Sequence, residues 1–141
     1  FHGDTAAANR LNDYEEGTYT PVVGAAGWNA TSNEADGSYV KVGDIVTVHI
    51  RYESNSFSSV GMSDALYVTL PFTAKSGGNT KGTLMCSEWS IGSQSISWLG
   101  ADVRNNTNNA LFHYHNGNNN NTNNDTNNQL YFKGTVVYQT A

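Results

Sequence analysis

Ile45-Val-Thr-Val-His-Ile-Arg-Tyr52 alternates without a slip: Val46, Val48, Ile50 and Tyr52 fall on one parity, and Thr47, His49 and Arg51 on the other. A strand turns successive side chains to opposite faces, so this run predicts a β-strand with one face on a core and the other toward water. Gly43-Asp44 just before it is a tight turn, which makes Ser38–Val42 its hairpin partner. Outward from this hairpin the same signature recurs. Thr18–Val23 comes first, with Pro21 marking a sheet edge. Ala65–Leu70 is halted by Pro71, and Thr83–Glu88, Ser95–Leu99 and Ala110–His115 follow. Gln129–Tyr138 closes the series, with Leu130, Phe132, Val136 and Tyr138 on one face and Gly134 as a bulge or close-approach site. About eight strands separated by turn residues predict an all-β fold, an antiparallel β-sandwich of jelly-roll type.

Three stretches depart from this pattern. Asp4 to Gly17 reads as a short helix: Asp4 caps it, Ala6, Ala7 and Ala8 favour it, and Leu11 and Tyr14 fall three apart on one side. The expected organisation is therefore 1–17, a stem remnant and short helix, and 18–141, a β-sandwich domain. Asn105–Asn109 and Asn116–Asn128 are rich in Asn, which tolerates left-handed backbone and bonds its own main chain; they read as hairpin tips.

Composition narrows the function. A chain of 141 residues fits one domain with a real core. The net charge is −5, and the seven Lys and Arg residues are scattered, which argues against a nucleic-acid partner, since phosphate binding needs clustered cations. No apolar run reaches the ~18 residues of a membrane helix, and no signal peptide is visible. Cys86 is the only cysteine, so an internal disulfide and a Cys-based zinc site are both excluded. Because the sequence opens on Phe1, it reads as part of a longer chain.

Asn9-Arg-Leu-Asn-Asp-Tyr-Glu-Glu-Gly-Thr-Tyr-Thr-Pro21 resembles the LDDYEEGTWTP opening of C-terminal domains in phage tail-fibre and related tail proteins. Four further pieces are similar in the same order. They are Ser38-Tyr-Val-Lys-Val-Gly-Asp-Ile-Val-Thr-Val48, Leu70-Pro-Phe-Thr-Ala74, Leu130-Tyr-Phe-Lys-Gly-Thr135 and Gln139-Thr-Ala141. Together they cover about a third of the chain; Thr83 to Asn128 departs from the pattern. The resemblance implies a β-sandwich on a fibrous stem, assembled as a homotrimer at a tail-fibre or spike tip of the virion. It also implies attachment to a host-surface glycan or outer-membrane receptor, and it supplies no catalytic residues.

Candidate residues follow from chemistry. Trp28, Trp89, Trp98, Tyr67 and Tyr114 offer aromatic faces on which the C–H face of a sugar can lie, although the same residues commonly fill sandwich cores. Trp98 follows Ile96 by two, which favours burial, Trp89 shares the parity of Met85 and Ser87, and Trp28 sits in an irregular Gly/Ala/Asn loop. Asn116 and Asp125 in the Asn-rich run can bond sugar hydroxyls. His113-Tyr-His115 places two imidazoles on one strand face, the sharpest metal signal in the chain, suited to a transition metal; otherwise no cofactor is expected. Glu15 and Glu16 form no catalytic pair on the logic of glycosidases, and no G-x-S-x-G nucleophile elbow occurs. The expected function is thus a non-enzymatic attachment module that binds glycan. The alternatives are a trimerisation and folding cap or capsid decoration, and, more remotely, an enzyme accessory.

Overall fold

The computed structural model describes residues 14–25, 28–55, 66–77, 80–91, 96–116 and 129–141, with the backbone only at 28–29, 80–81, 91, 96 and 114–116. Among the described residues ten strands run in chain order as β1 (Tyr14–Tyr19), β2 (Val23–Ala25), β3 (Trp28–Asn29), β4 (Glu34–Val42), β5 (Ile45–Ser54), β6 (Tyr67–Thr69), β7 (Thr80–Ile91), β8 (Ile96–Arg104), β9 (Asn109–Asn116) and β10 (Leu130–Gln139). All pair antiparallel in one ladder of order β1-β4-β5-β10-β7-β8-β9-β6-β2-β3. The all-β antiparallel prediction therefore holds. The strands make one continuous, curled sheet where two hydrogen-bonded sheets were expected.

The alternation of Ile45–Tyr52 is what the structure uses. Val46, Val48, Ile50 and Tyr52 are buried, while Ile45, Thr47, His49 and Arg51 face outward. β10, paired along its whole length with β5, buries Leu130, Phe132, Val136 and Tyr138 on the same inner side. Curling brings the far strands over this face, so that Val23, Val68, Val103 and Ala110 join one core with them. Aromatic rings bridge the curl: Phe132 stacks on Tyr52 at 5.9 Å and meets Phe112 of β9 edge-on at 5.1 Å. Each large apolar side chain taken from water here is worth ~1.5–3 kcal/mol, which makes this shared face the main source of stability.

The helix expected over Asp4–Gly17 is corrected at its C-terminal end. Tyr14–Gly17 belongs to β1, in register with Val42–Tyr39 of β4, and residues 1–13 lie outside the described set. Local helix propensity lost to tertiary pairing: Gly17 and Gly37 each sit beneath a cross-strand tyrosine ring, a contact only a strand can make. The single strand expected at Thr18–Val23 is broken, because the chain leaves β1 after Tyr19 and re-forms a ladder only at Val23. Of the two readings offered for Gly134 the close approach holds, since a Cβ there would meet Leu84 and the Met85 carbonyl at 2.9 Å; the bulge beside it, a register shift between Lys133 and Gly134, has its extra residue on β7 instead.

The two ends of the sheet differ. At the lower end lie the start of β1, the Gly43-Asp44 turn and the chain terminus. Asp44 binds Lys75 at 3.2 Å and Gln139 at 2.9 Å through its carboxylate, and its carbonyl accepts the Thr140 N–H at 2.8 Å. Leu70-Pro-Phe-Thr-Ala74 clips onto the same end. The Phe72 N–H donates to the Tyr138 hydroxyl and that hydroxyl donates to the Phe72 carbonyl, each at 3.1 Å, while Ala74 bridges to Thr140. Burial raises the Tyr138 hydroxyl to about 12, so it keeps its proton and can donate. At the upper end β5, β7 and β9 finish and β8 and β10 begin, around the register pairs Leu130–Ser54, Leu130–Ile91 and Ile96–Asn116.

Candidate functional site

The outer face of β1-β4-β5-β10-β7 carries a groove of about 700 Å³, a size within the usual range of ligand sites. Strand register builds it from two parallel rows. In the first, Thr18, Ser38, His49 and Thr135 follow one another across β1, β4, β5 and β10. In the second, Asp36, Arg51 and Lys133 do the same one step higher. Ser87 closes the β7 side, where it is the extra residue of the bulge opposite Lys133 and Gly134. Gly37 and Gly134 also line the groove, and having no side chains they add no bulk to it.

The electrostatics of the second row are specific. Arg51 and Lys133 are direct cross-strand partners, so two cations stand side by side, an arrangement that is unfavourable by itself. Each is balanced on its flank: Arg51 pairs with Glu34, and Lys133 pairs with Glu88 at 3.1 Å. The Tyr131 hydroxyl also donates to Glu88 at 3.1 Å, and Lys133 with Tyr131 holds the Glu88 carboxyl below its ordinary pKa. Glu88 is therefore a committed anion and a poor general acid. The first row is one of hydrogen-bonding groups, with His49 Nδ1 3.0 Å from the Thr135 hydroxyl. Glu15 and Glu16 turn to opposite sides of β1: Glu15 accepts from Tyr39 at 2.7 Å, and Glu16 accepts from Tyr14. They do not form an acid pair.

The aromatic candidates separate. Trp89 turns inward and packs against the core, whereas Met85, of the same parity in sequence, is 74 % exposed. The bulge at Ser87 causes this: one extra residue on β7 reverses the alternation beyond it. Trp98, for which spacing from Ile96 favoured burial, is 50 % exposed with its ring over Gly100. A second register shift, between Ile96 and Trp98, removes the two-residue relation on which that expectation rested. Trp28 lies in the short edge strand β3, paired through Ala25, rather than in an irregular loop. The ladder sets Trp98 opposite His115, Leu99 opposite Tyr114 and Ile96 opposite Asn116, so these candidates gather at the upper end of β8 and β9.

The side chains of Trp28, Tyr114, His115 and Asn116 lie outside the described set, as does Asp125. His113 holds its Nε2 3.2 Å from the Asp102 carboxylate. Among the described residues no three His, Cys, Asp or Glu side chains cluster as a metal site. Asn105–Asn109 is a pinned turn. Asn106 takes the left-handed conformation at φ 56°, and the Asn108 and Thr107 carbonyls accept the Leu70 and Ala74 N–H groups. No helix among the described residues is long and apolar enough to cross a membrane.

The groove was not foreseen from the sequence. His49 and Arg51 were read correctly as the outward parity of their strand, and Ser38 follows from the hairpin at Gly43-Asp44, but Thr18, Lys133 and Thr135 arrive through pairing with strands that no local pattern joins to these. No family model matches the chain, and no solved structure matches it. The chain is similar to a capsule KN4-specific depolymerase of Klebsiella phage K64-1, with 35 % identity over 80 residues. That match takes in 55 % of this chain and spans 11 % of the length of the phage protein.

Proposed function

We propose that this domain is a non-enzymatic attachment module of a phage tail fibre or tailspike, carried as a homotrimer on an upstream stem and binding host-surface glycan. One observation carries the reading most: the scaffold has opposite ends with opposite characters. The described chain starts and finishes at the lower end, locked by Asp44, Phe72 and Tyr138. The strand ends that bear Trp98, Tyr114 and Asn116, and the start of β10 at Leu130, lie at the upper end. A stem joined below leaves the upper end and the outer groove free to meet a cell envelope, and loops on a rigid scaffold commonly carry recognition. Similarity to part of a capsule depolymerase of a phage supports a tail-associated role beside a polysaccharide. Three weak sites on a trimer would gain retention through effective concentration.

The test is adsorption. Purified domain added in excess should compete with virions for host cells, and fluorescently labelled domain should decorate them. Incubation with the capsule should release no new reducing ends. Absence of both competition and decoration overturns the attachment reading, and steady release of reducing ends overturns its non-enzymatic part.

A second reading, a trimerisation and folding cap, is favoured by a different observation. Tyr14, Val42 and Ile45 form a cross-strand row of exposed apolar side chains at the lower end, and Val40 and Val137 stand one row up on either side of Thr47. Contiguous exposed apolar surface commonly marks protein contacts. On this reading, charged replacements at Val42 and Ile45 dissociate the assembly while leaving glycan binding by the separate subunit intact.

A further inference from the structure

We infer that the outer groove takes an acidic saccharide, with a sugar carboxylate on Arg51 and Lys133 and the ring hydroxyls on Thr18, Ser38, His49 and Thr135. This rests on the attachment reading and assigns it a site and a ligand class that the aromatic candidates do not supply.

The lining argues for the saccharide. The first row consists of hydroxyl groups and one imidazole, all outward-facing, and no large apolar side chain interrupts it. Such a row has much to offer a polyhydroxylated ligand, since each Ser or Thr both donates and accepts, and Tyr19, Ala35 and Ile50 add apolar surface to the same lining for the C–H faces of its rings. Strands lie about 4.8 Å apart, so the row from β1 to β10 extends roughly 14 Å, long enough for several sugar rings laid across the strands.

The cations argue for the acid. The chain has seven Lys and Arg against twelve Asp and Glu, yet two of its cations are placed directly opposite each other along this groove. Glu34 and Glu88 balance them from their flanks, and both cations stay about half exposed, with side-chain accessibilities of 42 % and 44 %. A carboxylate seated between them would be shared by a planar guanidinium fork and an ammonium, the charge-assisted contacts that carry the most energy. Asp36, in register with Arg51 and also lining the groove, limits which sugars fit. It repels a second negative charge on the β4 side and accepts a hydroxyl there instead. The predicted ligand thus has one carboxylate toward β5 and β10 and neutral hydroxyls toward β1 and β4.

The experiment is a chemical-shift titration of the isotope-labelled intact domain with glucuronate, with glucose and with acetate as separate probes at tens of millimolar. Glucuronate should shift the amides of residues 36–38, 49–51 and 133–135, glucose should shift them at least tenfold more weakly, and acetate should move only the neighbourhood of Arg51 and Lys133. Arg51→Gln combined with Lys133→Gln should abolish the glucuronate response. The unaltered domain gives the decisive map whether or not the variant folds. Equal responses to glucuronate and glucose, a response to acetate as broad as that to glucuronate, or glucuronate shifts elsewhere on the domain overturn the inference. So does the absence of any shift. Where the domain still blocks virion adsorption despite such a result, attachment stands and the groove is wrong; where adsorption is also unaffected by the domain, attachment itself fails.

Discussion

The Tyr39 ring lies across Gly17, its direct partner on the neighbouring strand, with the hydroxyl 2.7 Å from where a Cβ on Gly17 would stand. Two residues along, the relation inverts: Tyr19 covers Gly37, also its direct partner. The local sequences Gly17-Thr-Tyr19 and Gly37-Ser-Tyr39 are thus read against each other in antiparallel, each tyrosine filling the space that a glycine leaves. Their hydroxyls then reach Glu15 and the Thr69 carbonyl, and the second of these ties β1 to the other flank of the curled sheet.

This pairing predicts unequal costs for equal substitutions. At Gly17 the obstacle to a methyl is the far end of a tyrosine, which can swing aside and lose its bond to Glu15. At Gly37 the obstacle is the edge of the Tyr19 ring nearer its root, well inside contact distance. Gly37→Ala should destabilise by about 1–3 kcal/mol, as overpacking does, and Gly17→Ala by less. Urea unfolding of the two variants checks the order; equal midpoints would remove the argument.

The two tryptophans that bulges reassign give a second contrast. Trp89→Ala removes an inward ring from the core cluster and should cost about 3 kcal/mol. Trp98→Ala removes a half-exposed ring and should cost under about 1 kcal/mol, the ordinary scale of a surface change. Chemical denaturation reads both, and a larger loss at Trp98 than at Trp89 would contradict the register given for β7 and β8.

Much of the fold was legible because an antiparallel sheet buried on one face writes its period into the chain. Ile45–Tyr52 and Leu130–Tyr138 show it, and both proved to be central strands buried as read. What failed did so where parity breaks. The extra residue at Ser87 and the shift before Trp98 invert faces with no mark in composition, so Trp98, for which spacing favoured burial, faces out, and Trp89, which spacing left open, turns inward. Tyr14–Gly17 failed for another reason, since its strand exists only through a partner more than twenty residues away. The pieces that resemble tail-fibre domains prove to be structural devices. They supply the reciprocal glycine–tyrosine pair, the Asp44 turn, the Phe72 clip and the closing strand. The groove draws only part of its lining from them.

Cys86 offers a probe of the inner face. It lies inward on β7 beside Gly134, and burial pushes its thiol up to about 12. Only thiolate attacks a disulfide reagent. The native domain should therefore resist Ellman's reagent at pH 8 over hours and react within minutes once unfolded in urea. Rapid native labelling would show that the inner face opens at this strand.

The last prediction concerns acid. The hydrogen bond from Lys75 holds the Asp44 carboxyl below its ordinary value of 3.8, and Gln139 contributes. A carboxyl whose folded pKa lies below its unfolded one gives stability that is complete above the unfolded value and fades as pH falls through the folded value. The lower end of the sheet, where the Gly43-Asp44 turn, Lys75 and the terminal strand meet, should consequently loosen first below about pH 4. Asp44→Asn keeps a side-chain acceptor for Lys75 and Gln139 but cannot titrate. Its urea midpoint should be lower than that of the natural chain at pH 6, and the gap should close as pH falls toward 2.5. A gap that stays constant across this range would place the acid sensitivity elsewhere, on Glu88 and its partners Lys133 and Tyr131, and Glu88→Gln would then show the closing gap instead.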